Sequence, residues 1–224
     1  MSRRPVRLTS AVRAAVVGLA ALSVVAAGGY AAGASTFAPH PNRAVANLPA
    51  PSAAPNPLIA NGVSMGKHVA VYKSSGLGPG GLNLSAAAGT PERYVDLAQF
   101  PGGALTGGVT ITEAQGMNVL ARIVENLASV GLSVDDVVTM RVFLDNPPGA
   151  TVADYAGWNR AYRQVFANID RVTGAFLPVP KGTAAPALPL VANPARPSRF
   201  TLEVASLPVN GWLVEVEVDA VFPS

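Results

Sequence analysis

Along the 224 residues, regularly spaced apolar positions alternate with long stretches that have no period. Met117, Leu120, Val124 and Leu127 recur at helical spacing behind Thr112-Glu113-Ala114-Gln115, which has capping-box spacing, and Gly131 supplies a stop. The pattern predicts a helix over about 113–130. Residues 136–145 alternate Val137, Thr139, Arg141 and Phe143 against Val138, Met140, Val142 and Leu144, which predicts a strand with one strongly apolar face. Thr151 and Asp154 are suited to cap a second helix with the stripe Tyr155, Trp158, Tyr162, Val165 and Ile169. A β-branched run at 67–76, a short one at 93–97, and runs at 199–205 and 213–221 read as strands, with Asn210-Gly211 as a hairpin-type turn signal between the last two.

Two stretches resist regular structure. Residues 77–108 are dense in Gly, Pro, Ala and Asn, and 170–197 are rich in proline, which neither a helix interior nor a central strand accepts. The order strand, short strand, helix, strand, helix, strand, strand describes a small α+β domain, with two helices laid on one face of a sheet.

Composition changes the picture mainly at the amino terminus. Residues 14–34 carry no charge and follow Arg3, Arg4, Arg7 and Arg13, and Ala32-Gly33-Ala34 is a small-x-small site, so the segment reads as an export signal. The alternative is an uncleaved membrane anchor, since 21 uncharged residues reach the length of about 20 that crosses a bilayer. Ser2-Arg3-Arg4 also resembles a twin-arginine signal. Residues 35–57, rich in Pro and Ala, read as a linker, and the folded part is expected to span 58–224. The formal charge of +3 then has a local origin, because without the four leading arginines 12 basic residues stand against 13 acidic ones. No basic excess is left to argue for nucleic acid, and contact with a membrane is expected only through the amino-terminal segment. The chain has no cysteine, so disulfides, thiolate metal sites and cysteine nucleophiles are excluded.

Most chemical motifs fail on context. Gly62-Val63-Ser64-Met65-Gly66 matches the serine-hydrolase pattern G-x-S-x-G, but a strand follows it and the only later histidine is His68. Gly76 to Gly81 matches G-x-G-x-x-G, yet no helix can begin there to meet a pyrophosphate. His40 and His68 have no metal-ligand spacing, so no metal is expected. What is left is the end of the chain, where Glu215, Glu217 and Asp219 would share one strand face and Arg199 lies upstream. Open water suits three like charges. An arginine fork gripping a carboxylate, with a glutamate holding or activating a water, is the chemical alternative.

The words PSRFTLEVASLP and VEVEVDAV at 197–208 and 214–221 resemble the terminal signature of the YjgF/Rid proteins, the reactive-intermediate (enamine/imine) deaminases. NGVSMGKHVAVYKSSG, ASVGLSVDDVVTMRVFLDN and DYAGWNRAYRQVF are similar to that family's first hairpin, helix-to-strand passage and second helix. The resemblance implies a chorismate-mutase-like α+β fold, a homotrimer with sites between subunits, and hydrolysis of 2-imino acids and enamines to 2-keto acids and ammonia without a cofactor. Carried onto this sequence, it implies that Arg199 clamps the carboxylate of a small substrate and Glu215 positions the attacking water. Ser75, Asn159 and Thr201 then line the cleft. The chain departs from the family pattern in having Leu58 or Ile59 where an aromatic Tyr is usual, Thr201 where a Cys is usual, and the two long irregular insertions.

Overall fold

A computed structural model describes residues 39–223. The expected export signal or anchor at 1–34 lies outside the described residues. The chain forms β1 (Ala44–Asn47), β2 (Gly62–Met65), β3 (Val71–Lys73), α1 (Ile111–Ser129), β4 (Val137–Leu144), α2 (Tyr155–Arg163), β5 (Ser198–Glu203) and β6 (Val214–Val221). Strands β3, β6, β4 and β5 lie in that order in one sheet, and β1 pairs with β2 in a second. Among these strands the β4–β5 pairing is parallel and the others are antiparallel.

The alternation in β4 and β6 builds the core. Met140, Val142 and Leu144 meet Val214, Val216 and Val218 on one sheet face, and Ile123, Leu127, Trp158, Tyr162 and Phe166 cover them from the helix side. The helices approach closely because Gly116 of α1 has no side chain: a Cβ there would lie 2.7 Å from that of Ala161 on α2. Their N-termini are joined as well. The Thr110 hydroxyl accepts from Glu113 N at 3.1 Å and donates to Asp154 at 2.5 Å, while Asp154 accepts from Gly157 N at 2.7 Å.

Several local expectations are corrected. The α1 cap is Thr110, not Thr112, and the α2 cap is Asp154 alone, without Thr151. Helix α2 ends at Arg163, before Val165 and Ile169 of its expected stripe. The expected strand at 93–97 is two short 3-10 turns, Pro91–Tyr94 and Leu97–Gln99, started by Pro91 and by the Asp96 side chain. Asn210-Gly211 does not close a hairpin, because β4 lies between β5 and β6. The run at 67–76 contributes only Val71–Lys73. Inside the expected linker, Ala44–Asn47 pairs antiparallel with Gly62–Met65.

Both insertions pack on α1. Val95 and Phe100 of the first form a small core with Ala114, Met117 and Ala161. The second reaches the first through Thr183 N to Gly107 O at 2.6 Å and reaches α1 through Gly182 N to the buried Glu113 carboxylate at 2.8 Å. Arg196, itself buried, donates to Pro57 O at 2.9 Å, Pro194 O at 2.7 Å, Ile169 O at 2.8 Å and Asn56 Oδ1 at 3.3 Å. It thereby ties the second insertion to the segment ahead of β2.

Candidate functional site

Residues level with one another in adjacent strands point to the same sheet face. Arg199 is level with Met140 and Thr201 with Val142, so both side chains of β5 point toward the helices. Glu215 is level with Phe143, and Glu217 with Arg141, so the acidic face of β6 points the other way. Arg199 and Glu215 of one chain therefore stand on opposite faces of the sheet.

On the helix side, the Arg199 guanidinium lies 4.3 Å from the centroid of the Tyr162 ring, and that ring stacks on Phe166 at 5.3 Å. Nη2 donates to Asn159 Oδ1 at 2.7 Å. Nη1 is buried with no hydrogen-bond partner among the described residues, and so is the Thr201 hydroxyl two residues along the same strand face. Burial pushes the Arg199 pKa down. A buried donor without an acceptor is costly, and a guanidinium more so, because its remaining N–H groups are shaped for a planar anion. Nothing anionic among the described residues neutralises it. The Tyr162 hydroxyl is spent on Leu58 O at 2.9 Å, and burial pushes its pKa up.

On the opposite face, Arg141 grips Asp219 at 2.7 Å and reaches Glu217 at 3.5 Å, with Lys73 at 3.9 Å from Asp219. Two of the three carboxylates thus face cations. Glu215 makes no ion pair with a described residue, and burial followed by the charge of Glu217 raises its pKa. Beside it the chain bows outward. Lys73 is level with Asp219 and Leu77 with Val216, so four steps on one strand oppose three on the other. Ser74 anchors this bulge, its backbone N donating to Val218 O and its hydroxyl accepting from Val218 N, each at 2.9 Å. Ser75 is exposed at the crest, and Gly76 lies so close to the Glu215 carboxylate that a Cβ would overlap Oε1.

The five residues expected from the sequence thus fall into two groups. Arg199, Asn159 and Thr201 form one; Ser75 and Glu215, with Gly76, form the other. Tyr162, expected only as core, is also the platform for Arg199, and nothing in its helical spacing signalled that, since the parallel β4–β5 pairing brings the two together. Among the described residues no group of three His, Cys, Asp or Glu side chains could hold a metal. The hydrolase pattern is a strand with Ser64 exposed on it, and His68 faces Asn42.

A family model described as Endoribonuclease L-PSP matches residues 99–222, more than half of the chain. The chain belongs to this family, the YjgF/Rid family. Its fold is the family's α+β arrangement of two helices on a mixed sheet. Among solved structures it is similar to a YjgF family member from Neisseria meningitidis, at 18% identity, covering 83% of this chain and 99% of that one, with a TM-score of 0.38. A conserved Rid family protein of unknown function from Yersinia pestis matches at 21% identity over 80% and 98%, with a TM-score of 0.41. Escherichia coli TdcF with bound serine matches at 20% identity over 68% and 81%, with a TM-score of 0.39. No curated protein matches the chain.

Proposed function

We propose that this YjgF/Rid chain is a cofactor-independent deaminase of small 2-imino acids and their enamine tautomers, with each site completed between two copies in a homotrimer. The observation that carries the reading is the buried Arg199 whose Nη1 has no acceptor among the described residues, beside the Thr201 hydroxyl, which has none there either. A substrate carboxylate supplies the missing acceptor oxygens. The separation of Arg199 and Glu215 on opposite faces supports a site divided between copies, one giving Arg199, Asn159 and Thr201 and its neighbour giving Glu215, Ser75 and the bulge at Gly76.

The chemistry asks little beyond position. Water adds to the electrophilic C=N carbon as Glu215 takes its proton and passes it to the nitrogen, and collapse of the carbinolamine, its hydroxyl proton moving to the amino group by the same carboxylate, expels ammonia and leaves the 2-keto acid. A carboxyl shifted upward by burial and by the charge of Glu217 suits such proton traffic, and holding water and imine at reacting distance is the main saving in barrier. An exported location, through the segment at 14–34, belongs to the same proposal.

A second reading, a non-catalytic trimer that binds a carboxylate ligand or an envelope partner, is favoured by the same separation, since one chain does not hold both groups together. Keto-acid release from imines generated by an amino-acid oxidase separates the two. Acceleration by the purified protein, lost in Arg199→Ala and Glu215→Gln, supports the enzyme. Release at the uncatalysed rate for every imine, with carboxylate binding still abolished by Arg199→Ala, supports the binding protein.

A further inference from the structure

Between α1 and the first insertion lies a cavity of about 220 Å³, lined on the helix side by Asn118, Arg122 and Glu125 and on the other by Gly80, Leu82 and Asp96. Its walls are held by the chain's own hydrogen bonds. The buried Asn118 spends its side-chain amide on the insertion: Nδ2 donates to Gly80 O and to Tyr94 O, each at 2.9 Å, and Oδ1 accepts from Gly80 N at 3.1 Å. The Asp96 carboxylate accepts from Ala98 N at 3.1 Å and from the Gln99 amide at 2.9 Å.

The charges in this cavity do not neutralise one another. Arg122 and Glu125 are three residues apart on α1, a spacing at which opposite charges ordinarily meet, and Asp96 faces the same space. No ion pair among the described residues joins any of the three. Arg122 is drawn aside instead, its Nη1 donating to Gly78 O, while Nε and Nη2 have no acceptor among the described residues. A cation and two carboxylates are thus kept apart around one hollow, which suits a guest that carries both signs. The hollow is smaller than the roughly 300–1,000 Å³ of sites for drug-sized ligands, so the guest is small.

We propose that this cavity binds a free α-amino acid as its zwitterion, with the carboxylate on Nε and Nη2 of Arg122 and the ammonium between Asp96 and Glu125. The inference holds whether or not the chain is a deaminase, because the cavity contains neither Arg199 nor Glu215. Residues 77–80 leave the sheet where Leu77 pairs with Val216 of β6, and β4 separates β6 from Arg199 on β5.

Equilibrium dialysis of the purified protein against L-alanine, propionate and ethylamine, each at about 1 mM, compares the zwitterion with molecules that carry one of its charges. The measurement is made in Arg199→Ala, so that the carboxylate fork on β5 takes no part. There L-alanine should be held about tenfold or more tightly than propionate or ethylamine, and adding Arg122→Gln should weaken it about tenfold or more. Arg122→Gln also gives up the bond to Gly78 O, so Gly80→Ala serves as a second variant. Its methyl group would sit 3.6 Å from Leu82 Cγ and 3.7 Å from Arg122 Cδ and Asn118 Oδ1, ordinary contact distances that narrow the cavity without straining the fold. Binding weakened by Gly80→Ala at an unchanged melting temperature supports the site. Equal binding of propionate or ethylamine overturns it, as does uptake undiminished in either variant. Uptake by the wild type that disappears in a folded Arg199→Ala assigns the amino acid to the β5 site and overturns the proposal as well.

Discussion

Arg196 and Arg199 are three residues apart, and their surroundings give them opposite tasks. Both are buried enough to lower their pKa, that of Arg196 to about 10 under the added influence of Arg171 and Arg163. Arg196 spends its N–H groups on three carbonyls and an amide oxygen of its own chain, whereas Arg199 keeps Nη1 unspent. A buried cation satisfied by the fold is structural; one left with a free fork is ready for a ligand. At the same scale Gly76 acts by what it lacks. Gly76→Ala would drive Glu215 off the bulge, so deaminase turnover should fall at least tenfold with the melting temperature little changed, measured by keto-acid release beside thermal unfolding. Glu215 itself is raised above the ordinary carboxylate value, so the folded state holds its proton more tightly than the unfolded chain does, and its penalty appears as pH rises past about 4.5. Glu215→Gln should therefore raise the melting temperature more at pH 8 than at pH 4, which calorimetry at the two values checks; an equal change at both would assign the effect to packing.

Among the elements, β4, β6 and α1 were legible in the sequence because their periodicity coincides with their burial. Met140, Val142 and Leu144 are apolar because they face helices, and Arg141 and Phe143 are not part of that face. The second half of the pattern misled at Asn210-Gly211, where a turn is present but the strands it joins are separated by β4. A local turn signal reports the bend and carries no information about which strand arrives next to which. The segment ahead of β2 was unreadable for a different reason. Its proline and alanine residues have no period, and its order comes from carbonyls accepting bonds from Arg163, Arg171 and Arg196, more than 100 residues away. Arg196→Met removes a hub and leaves its acceptors buried and unmatched. Stability should drop by about 3 kcal/mol in urea titration, with new protease cleavage in 48–61. Loss of stability without that cleavage would show the segment is held by other contacts.

For the whole molecule, the opposite orientation of β5 and β6 side chains makes a prediction about assembly. If each site takes Arg199 from one copy and Glu215 from the next, two inactive variants can rescue each other. Co-refolding Arg199→Ala with Glu215→Gln in equal amounts should recover about a quarter of wild-type activity, the share of interfaces that receive both intact groups. Sites contained within one chain would recover none. The sheet face that carries Glu215 also exposes Phe200 and Leu202, at 45% and 51%, around the Arg141–Asp219 pair, a surface suited to cover by another copy.

The sequence by itself determined the two helices, the long strands, the acidic face of β6 and the residue types of the site, because these depend on spacing along one element and on side-chain chemistry. Tertiary structure alone decided that Arg199 rests on Tyr162, that Glu215 is turned away from it, and that two proline-rich insertions form a common layer over α1. Such outcomes depend on which distant strands pair and in what direction. A one-residue change of register or a reversal of strand direction sends the same side chain to the opposite face, and no local pattern records that choice.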